Sequence, residues 1–288
     1  MFKGTGVALV TPFDDQLQVN YKDLEKVVDH TINNGVDYLV VQGTTGESVT
    51  LKDDEKLDIL RKVNELNRDK PVVLGIGGND TDKVLRQIDR FSSESFDAVL
   101  SVCPYYNKPS QAGLINHFTL IAERSPRPVI LYNVPGRTSV NLTAHAVSTL
   151  SHHPNIIGVK EASGNLNQAI EILKHSAEDF LLISGDDFLT LPLISLGASG
   201  VISVLANALT KEMCGIVNLA LADNYEGARK ILQSISQIND LMYLEGNPTG
   251  VKSLMELMGL CSGKVRPPLA EASTQLRKDI EKCYNDFK

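Results

Sequence analysis

Lys160 is the residue whose setting in this sequence most favours chemistry. It follows Ile156, Ile157 and Val159, so it ends an apolar strand and projects into whatever interior that strand lines. Burial disfavours an ammonium, and a lysine held neutral can attack a carbonyl to form a Schiff base, an electron sink for carbanion chemistry. A lone strand-end lysine more often snorkels to water, so its company decides. Tyr132 ends the preceding apolar run, where a phenol can carry protons to and from an imine or carbinolamine. Thr44 and Thr45, in the turn Gly43-Thr44-Thr45-Gly46-Glu47, offer hydroxyls and turn amides to a small carboxylate. Arg137 offers a bidentate grip on a second carboxylate. A lysine, a tyrosine, a hydroxyl pair and an arginine on one rim describe an aldolase that forms an imine with a 2-oxo acid.

That rim has to be built by the elements between these residues. Short apolar, β-branched-rich runs recur at 6–10, 38–42, 72–75, 98–102, 129–132, 156–160, 181–184 and 201–204. Between them lie segments with helical spacing, such as Leu24, Val27, Val28 and Ile32, with Gly35 after the first and Asp80 and Thr81 offering N-caps to another. Eight strands alternating with helices over about 220 residues predict a closed (βα)8 TIM barrel of the α/β class, whose reactive groups sit at the carboxyl ends of the strands. Helices expected at 213–222, 225–244, 251–258 and near the end form a C-terminal extension. The reading is a barrel domain over 1–224 and a helical region over 225–288 packed on it, since no Gly/Ser linker parts them.

Composition narrows the partners. Among 288 residues the net charge is -7, with 42% hydrophobic and 22% charged residues, which excludes disorder and argues against nucleic acid, whose binding needs a basic patch. Cys103, Cys214, Cys261 and Cys283 are widely spaced, as expected of reduced thiols rather than a zinc site or disulfide framework. The run at 6–10 meets Pro12, Asp14 and Asp15 without an export-signal pattern, pointing to the cytoplasm. The uncharged stretch 188–210 is long enough to span a bilayer. Pro192, Gly197 and Gly200 instead predict a buried helix at 188–196, a turn and a buried strand, so no membrane is expected. Gly75-Ile76-Gly77-Gly78 lacks the spacing of a phosphate loop. Asp186-Asp187 reads as helix capping rather than a metal site. His152-His153 carries no assigned chemistry, and His30, His117, His145 and His175 read as solvated or packing residues of helices.

Five motifs in order resemble the dihydrodipicolinate synthase family of pyruvate-dependent class I aldolases over nearly the whole chain. They are Gly43-Thr44-Thr45-Gly46-Glu47, Pro104-Tyr105-Tyr106-Asn107, Tyr132-Asn133-Val134-Pro135-Gly136-Arg137-Thr138, Lys160-Glu161-Ala162 and Ser184-Gly185-Asp186-Asp187. The resemblance implies that Lys160 forms the Schiff base with pyruvate while Tyr132, Thr44 and Tyr106 relay protons, Tyr106 reaching in from a neighbouring subunit. Thr45 and the backbones at Gly185 and Ile202 would position pyruvate, and Arg137 would hold the carboxylate of L-aspartate 4-semialdehyde. It further implies no metal or other cofactor, a homo-oligomer (a dimer or a pair of dimers), and a place at the entry to diaminopimelate and lysine synthesis. Sister activities, N-acetylneuraminate lyase and 2-keto-3-deoxy sugar acid aldolases among them, share the lysine and tyrosine; the resemblance places an arginine at 137 in the synthase and generally not in the neuraminate lyase, so Arg137 is the discriminator. The family's lysine-feedback cleft corresponds to Ser48, Val49, Asp53, Lys56, Asn79, Lys83 and Tyr105. Asp53 and Lys56 replace histidines of the regulated type and Lys83 stands where an acidic residue is expected, so weak or absent feedback follows.

Overall fold

Eight parallel strands close into a barrel in sequence order: β1 (Gly4–Ala8), β2 (Tyr38–Val41), β3 (Val72–Gly75), β4 (Ala98–Val102), β5 (Val129–Asn133), β6 (Ile156–Glu161), β7 (Leu181–Ser184) and β8 (Gly200–Ser203). The computed structural model describes residues 1–287; Lys288, the last residue of the expected C-terminal region, lies outside the described residues. All eight strands fall on the runs read from the sequence, with small shifts that have local causes. The first run was expected to reach Val10, but the Val10 N–H donates to Asn207 Oδ1 at 3.0 Å and so leaves the ladder. In the last, Val204 donates its N–H to Asp187 Oδ2 at 3.1 Å. Gly200 joins at the other end, where a Cβ would stand 1.9 Å from the Gly4 carbonyl oxygen.

Strand alternation divides the core into two layers. Tyr38, Val40, Val73, Leu100, Ile130, Tyr132, Ile183 and Ile202 pack inside the barrel, while Leu39, Val41, Val99, Leu131 and Val159 pack outward with the helices. Phe2 plugs the amino end, edge-on to Tyr38 with ring centroids 5.6 Å apart. The period of two that sends Val159 outward turns Lys160 inward.

Helices fill the outer layer, and polar side chains start them where the sequence suggested. Asp80 accepts from the Lys83 N–H at the head of Thr81–Phe91, and Gly35, just past Tyr21–Asn33, takes a left-handed φ of 98°. Between β7 and β8 the helix is Thr190–Leu196, shorter than the expected 188–196 because Asp186 Oδ1 accepts from the Phe188 and Leu189 N–H groups in a turn. Among the described residues no helix is long and apolar enough to cross a membrane. His117 is a packing residue: it is buried with Nδ1 2.8 Å from Thr81 Oγ1, and burial pushes its pKa down to about 4. All four cysteines are free and buried.

The chain ends in helices Thr210–Leu221, Tyr225–Ser234, Ser236–Tyr243, Thr249–Leu257 and Thr274–Phe287. The single helix expected over 225–244 is two, broken at Ile235, whose φ of -102° and ψ of 3° leave the helical basin. Ile235 is itself buried, so the chain bends to keep it in the core. Val251, Leu254, Met255, Leu276 and Ile280 share one hydrophobic cluster with Phe13, Leu24 and Val28 of the barrel side.

Candidate active site

The register of β5, β6 and β7 puts Tyr132 beside Lys160, and Lys160 beside Ile183, at the carboxyl end of the barrel. Lys160 is 5% exposed. Its Nζ lies 4.5 Å from the centroid of the Tyr132 ring, whose face attracts a cation. Lys160 makes no hydrogen bond or ion pair among the described residues; the Tyr132 ring is the neighbour its amine faces. Gly185 keeps the neighbourhood open: a Cβ there would stand 3.1 Å from Lys160 Cε and 2.7 Å from Ala162 Cβ. The space beside the Lys160 side chain therefore depends on that glycine.

The outward neighbours of the pair lock it in place. Glu161 is buried and accepts from Asn133 Nδ2 at 3.0 Å, Gln168 Nε2 at 3.1 Å and the Ser163 N–H at 2.6 Å. Asn133 and Glu161 follow Tyr132 and Lys160 directly, so this network fixes the two strand ends from behind.

Thr45 is buried, and its Oγ1 accepts from Asn247 Nδ2 at 3.1 Å. The turn that carries it is anchored through Glu47, at a left-handed φ of 52°. Glu47 Oε1 accepts from Lys252 Nζ at 2.6 Å and Oε2 from the Arg266 N–H at 2.9 Å. The Glu47 and Lys252 side chains are 1% and 0% exposed. Lys252 also donates to the Lys264 carbonyl at 2.8 Å; burial pulls its ammonium below the ordinary lysine value and Glu47 pulls it back. On the far side, Asp187 Oδ2 accepts from the Val204 and Leu205 N–H groups at 3.1 and 2.8 Å and from the Tyr243 hydroxyl at 3.2 Å. Ile202, fully buried just before, is thereby tied to the loop of Gly185.

A cavity of about 550 Å³ opens above the strand ends, with Thr44, Tyr132 and Arg137 in its walls. Arg137 rides on the single turn Pro135–Thr138, exposed and without an ion pair among the described residues. Ser48, Val49, Lys56, Asn79, Lys83 and Tyr105 line the same cavity, so the expected feedback cleft adjoins the expected catalytic set. Asp53 stands off it, 3.9 Å from Lys56 and 3.7 Å from Arg90. Burial, partly offset by Asp53, lowers the Lys56 pKa. Of the expected site residues, Lys160, Thr45, Gly185, Ile202 and Tyr106 are not among those lining this cavity; the first two are buried. Tyr106 is 88% exposed, at a φ of 76°, while its neighbour Tyr105 lines the cavity.

Four contributors escaped the sequence: Asn247, Lys252, Tyr243, and Asp187 as a tie between loops rather than a helix cap. A lysine inside the apolar run of Thr249–Leu257 was the one visible signal, since lysine is almost never fully buried unless paired. Asn247 precedes Pro248 in the sequence, and nothing there ties it to Thr45.

Comparison with known proteins bears on what this geometry serves. The model of the "Dihydrodipicolinate synthetase family" matches residues 1–286. A 4-hydroxy-tetrahydrodipicolinate synthase of Cytophaga hutchinsonii is 49% identical over 284 residues, covering 98% of this chain and 96% of the relative. The crystal structure of the dihydrodipicolinate synthase of Thermotoga maritima superposes with a TM-score of 0.97 at 33% identity, covering 100% of this chain and 99% of that one. A structure described as the first monomeric dihydrodipicolinate synthase variant gives the same TM-score and identity over 99% of this chain and 97% of its own.

Proposed function

This chain belongs to the dihydrodipicolinate synthetase family, and from that premise we propose that it is a 4-hydroxy-tetrahydrodipicolinate synthase, a lyase that condenses pyruvate with L-aspartate 4-semialdehyde. The observation that carries the chemistry is the buried Lys160 amine against the face of Tyr132. The Lys160 amine adds to the pyruvate carbonyl, Tyr132 moves the protons that release water, and the resulting imine acidifies the methyl group. Loss of a methyl proton gives the enamine, which attacks the aldehyde carbon; the aldehyde oxygen takes a proton and becomes the hydroxyl of the product. The amine of the second substrate then adds to the imine carbon and expels Lys160, closing the ring. No cofactor enters the sequence. Thr44 joins the proton relay, and Thr45 with the backbones at Gly185 and Ile202 orients the pyruvate carboxylate.

In this reading residues 1–224 form the catalytic barrel, 225–288 brace its mouth, and the enzyme works in the cytoplasm. We take it to be at least a dimer, because an exposed Tyr106 can complete a relay only in a neighbour's site. The monomeric relative makes sedimentation of the active species the check.

Arg137 sets the second substrate. Arg137→Ala should lower kcat/KM for the semialdehyde by about a hundredfold, the loss of a charge-assisted bidentate contact, with the pyruvate KM unchanged. Steady-state kinetics with each substrate varied decide it, and the reverse split would remove Arg137 from this role. The wider assignment is tested by offering N-acetylmannosamine and glyceraldehyde against the semialdehyde. Preference for either in kcat/KM would move the protein to a sister aldolase activity.

Feedback by lysine should be weak. L-lysine at about 1 mM is expected to leave the initial rate unchanged, because Lys56 and Lys83 share the cleft and repel a cationic ligand. A clear fall in rate below that concentration would overturn this reading of the cleft.

A further inference from the structure

The segment joining helices Ser236–Tyr243 and Thr249–Leu257 passes over the barrel mouth and is held on both sides. Tyr243 bonds Asp187 at the β7 end, Glu245 accepts from the Ser273 N–H at 2.8 Å, and Thr249 Oγ1 donates to the Ala270 carbonyl at 3.0 Å. Asn247 hangs from this strap into the site, 6% exposed, with Nδ2 on Thr45 Oγ1.

We propose that Asn247 is a positioning residue of the condensation, orienting the Thr45 hydroxyl so that its proton is offered to the substrate carboxylate. The argument is one of hydrogen-bond inventory. An amide NH2 can only donate and a hydroxyl has one proton and two lone pairs. The bond from Asn247 therefore occupies a lone pair of Thr45 Oγ1 and leaves its proton unspent. Thr45 Oγ1 has no other hydrogen bond among the described residues, so the proton is free for an acceptor that arrives with the substrate. A carboxylate, which only accepts, is the matching group. The arrangement is held against a cost: Asn247 Oδ1 is buried without a partner among the described residues, which lowers stability rather than raising it. A purely structural asparagine would be expected to satisfy both ends of its amide.

The proposal rests on Thr45 holding the carboxylate of pyruvate, and the test separates the two. Steady-state kinetics and borohydride trapping of the imine, each as a function of pyruvate concentration, are compared for wild type, Asn247→Asp, Asn247→Ala, Asn247→Ser and Thr45→Val, with circular dichroism for the fold. Asn247→Asp should raise the pyruvate KM and the half-saturating pyruvate for trapping by about tenfold or more, since its carboxylate takes the Thr45 proton and repels the substrate. Asn247→Ala should raise both by roughly fivefold and Asn247→Ser, which keeps a donor, by less than about twofold. The semialdehyde KM should not move. In the Thr45→Val background, Asn247→Ala should add less than about twofold.

An unmoved pyruvate KM in Asn247→Asp would overturn the proposal. So would a fall in kcat with both KM values intact, the same penalty in the Thr45→Val background, or loss of the fold in all three Asn247 variants, which would make Asn247 a folding residue. Failure of the wild type itself to be trapped would instead strike the Schiff-base reading beneath it.

Discussion

Lys160→Met is expected to lower kcat by about 10⁴-fold or more while leaving the barrel as stable as before. Without the amine there is no imine, and the methyl protons of pyruvate stay too weakly acidic for the remaining relay. Stability should hold because Lys160 is buried with no counter-ion and no hydrogen bond among the described residues, so an apolar side chain of similar length removes a desolvation cost rather than a contact. The check is turnover of pyruvate and semialdehyde beside a thermal melt of the same preparation. Activity within about a hundredfold of wild type would show that the reaction does not pass through this lysine. A collapse of the melting temperature would show that Lys160 serves the fold.

Lys252 is the opposite case, a buried lysine whose work is structural. Lys252→Met leaves the Glu47 carboxylate in the core with, among the described residues, only the Arg266 N–H to satisfy it. Breaking such a pair from one side costs about 3–5 kcal/mol, which for a chain of this size lowers the melting temperature by roughly 10 °C. The double variant Glu47→Leu/Lys252→Met removes both charges and should regain most of that loss. Thermal or urea unfolding of the three proteins tests it. Equal destabilisation in single and double variants would mean that shape, not the stranded charge, sets the cost. Two buried lysines at one barrel mouth thus differ by their company: Lys252 has a carboxylate at 2.6 Å, and Lys160 has an aromatic face.

The contrast explains what could be read in advance. Strand positions were legible because parallel barrel strands are apolar on both faces and separated by helical spacing. Once eight were placed in order, Tyr132 and Lys160 had to be neighbours, since β5 and β6 pair in sequence. Inward and outward assignments followed from the period of two, so the Lys160 direction was fixed before its surroundings were known. Contacts far apart along the chain were invisible. Asn247 meets Thr45 across 202 residues and Lys252 meets Glu47 across 205; periodicity tells which face a residue shows, never which distant partner meets it there. The break at Ile235 was missed for a related reason. No glycine or proline marks it, and only packing of the Ile235 side chain demands the turn.

The cavity also changes the meaning of the regulatory comparison. Ser48, Lys56, Asn79, Lys83 and Tyr105 share one space with Thr44, Tyr132 and Arg137, so the amines of Lys56 and Lys83 stand near the side chains proposed to meet the carboxylates of the two substrates. Positive charge there favours the approach of carboxylates.

The most direct test of the whole account is to incubate the purified protein with pyruvate, reduce with borohydride, digest and find the modified residue by mass spectrometry. The account predicts one adduct carrying a reduced pyruvate on Lys160, present with pyruvate alone and absent without it. No adduct, or one on a lysine other than Lys160, would contradict it.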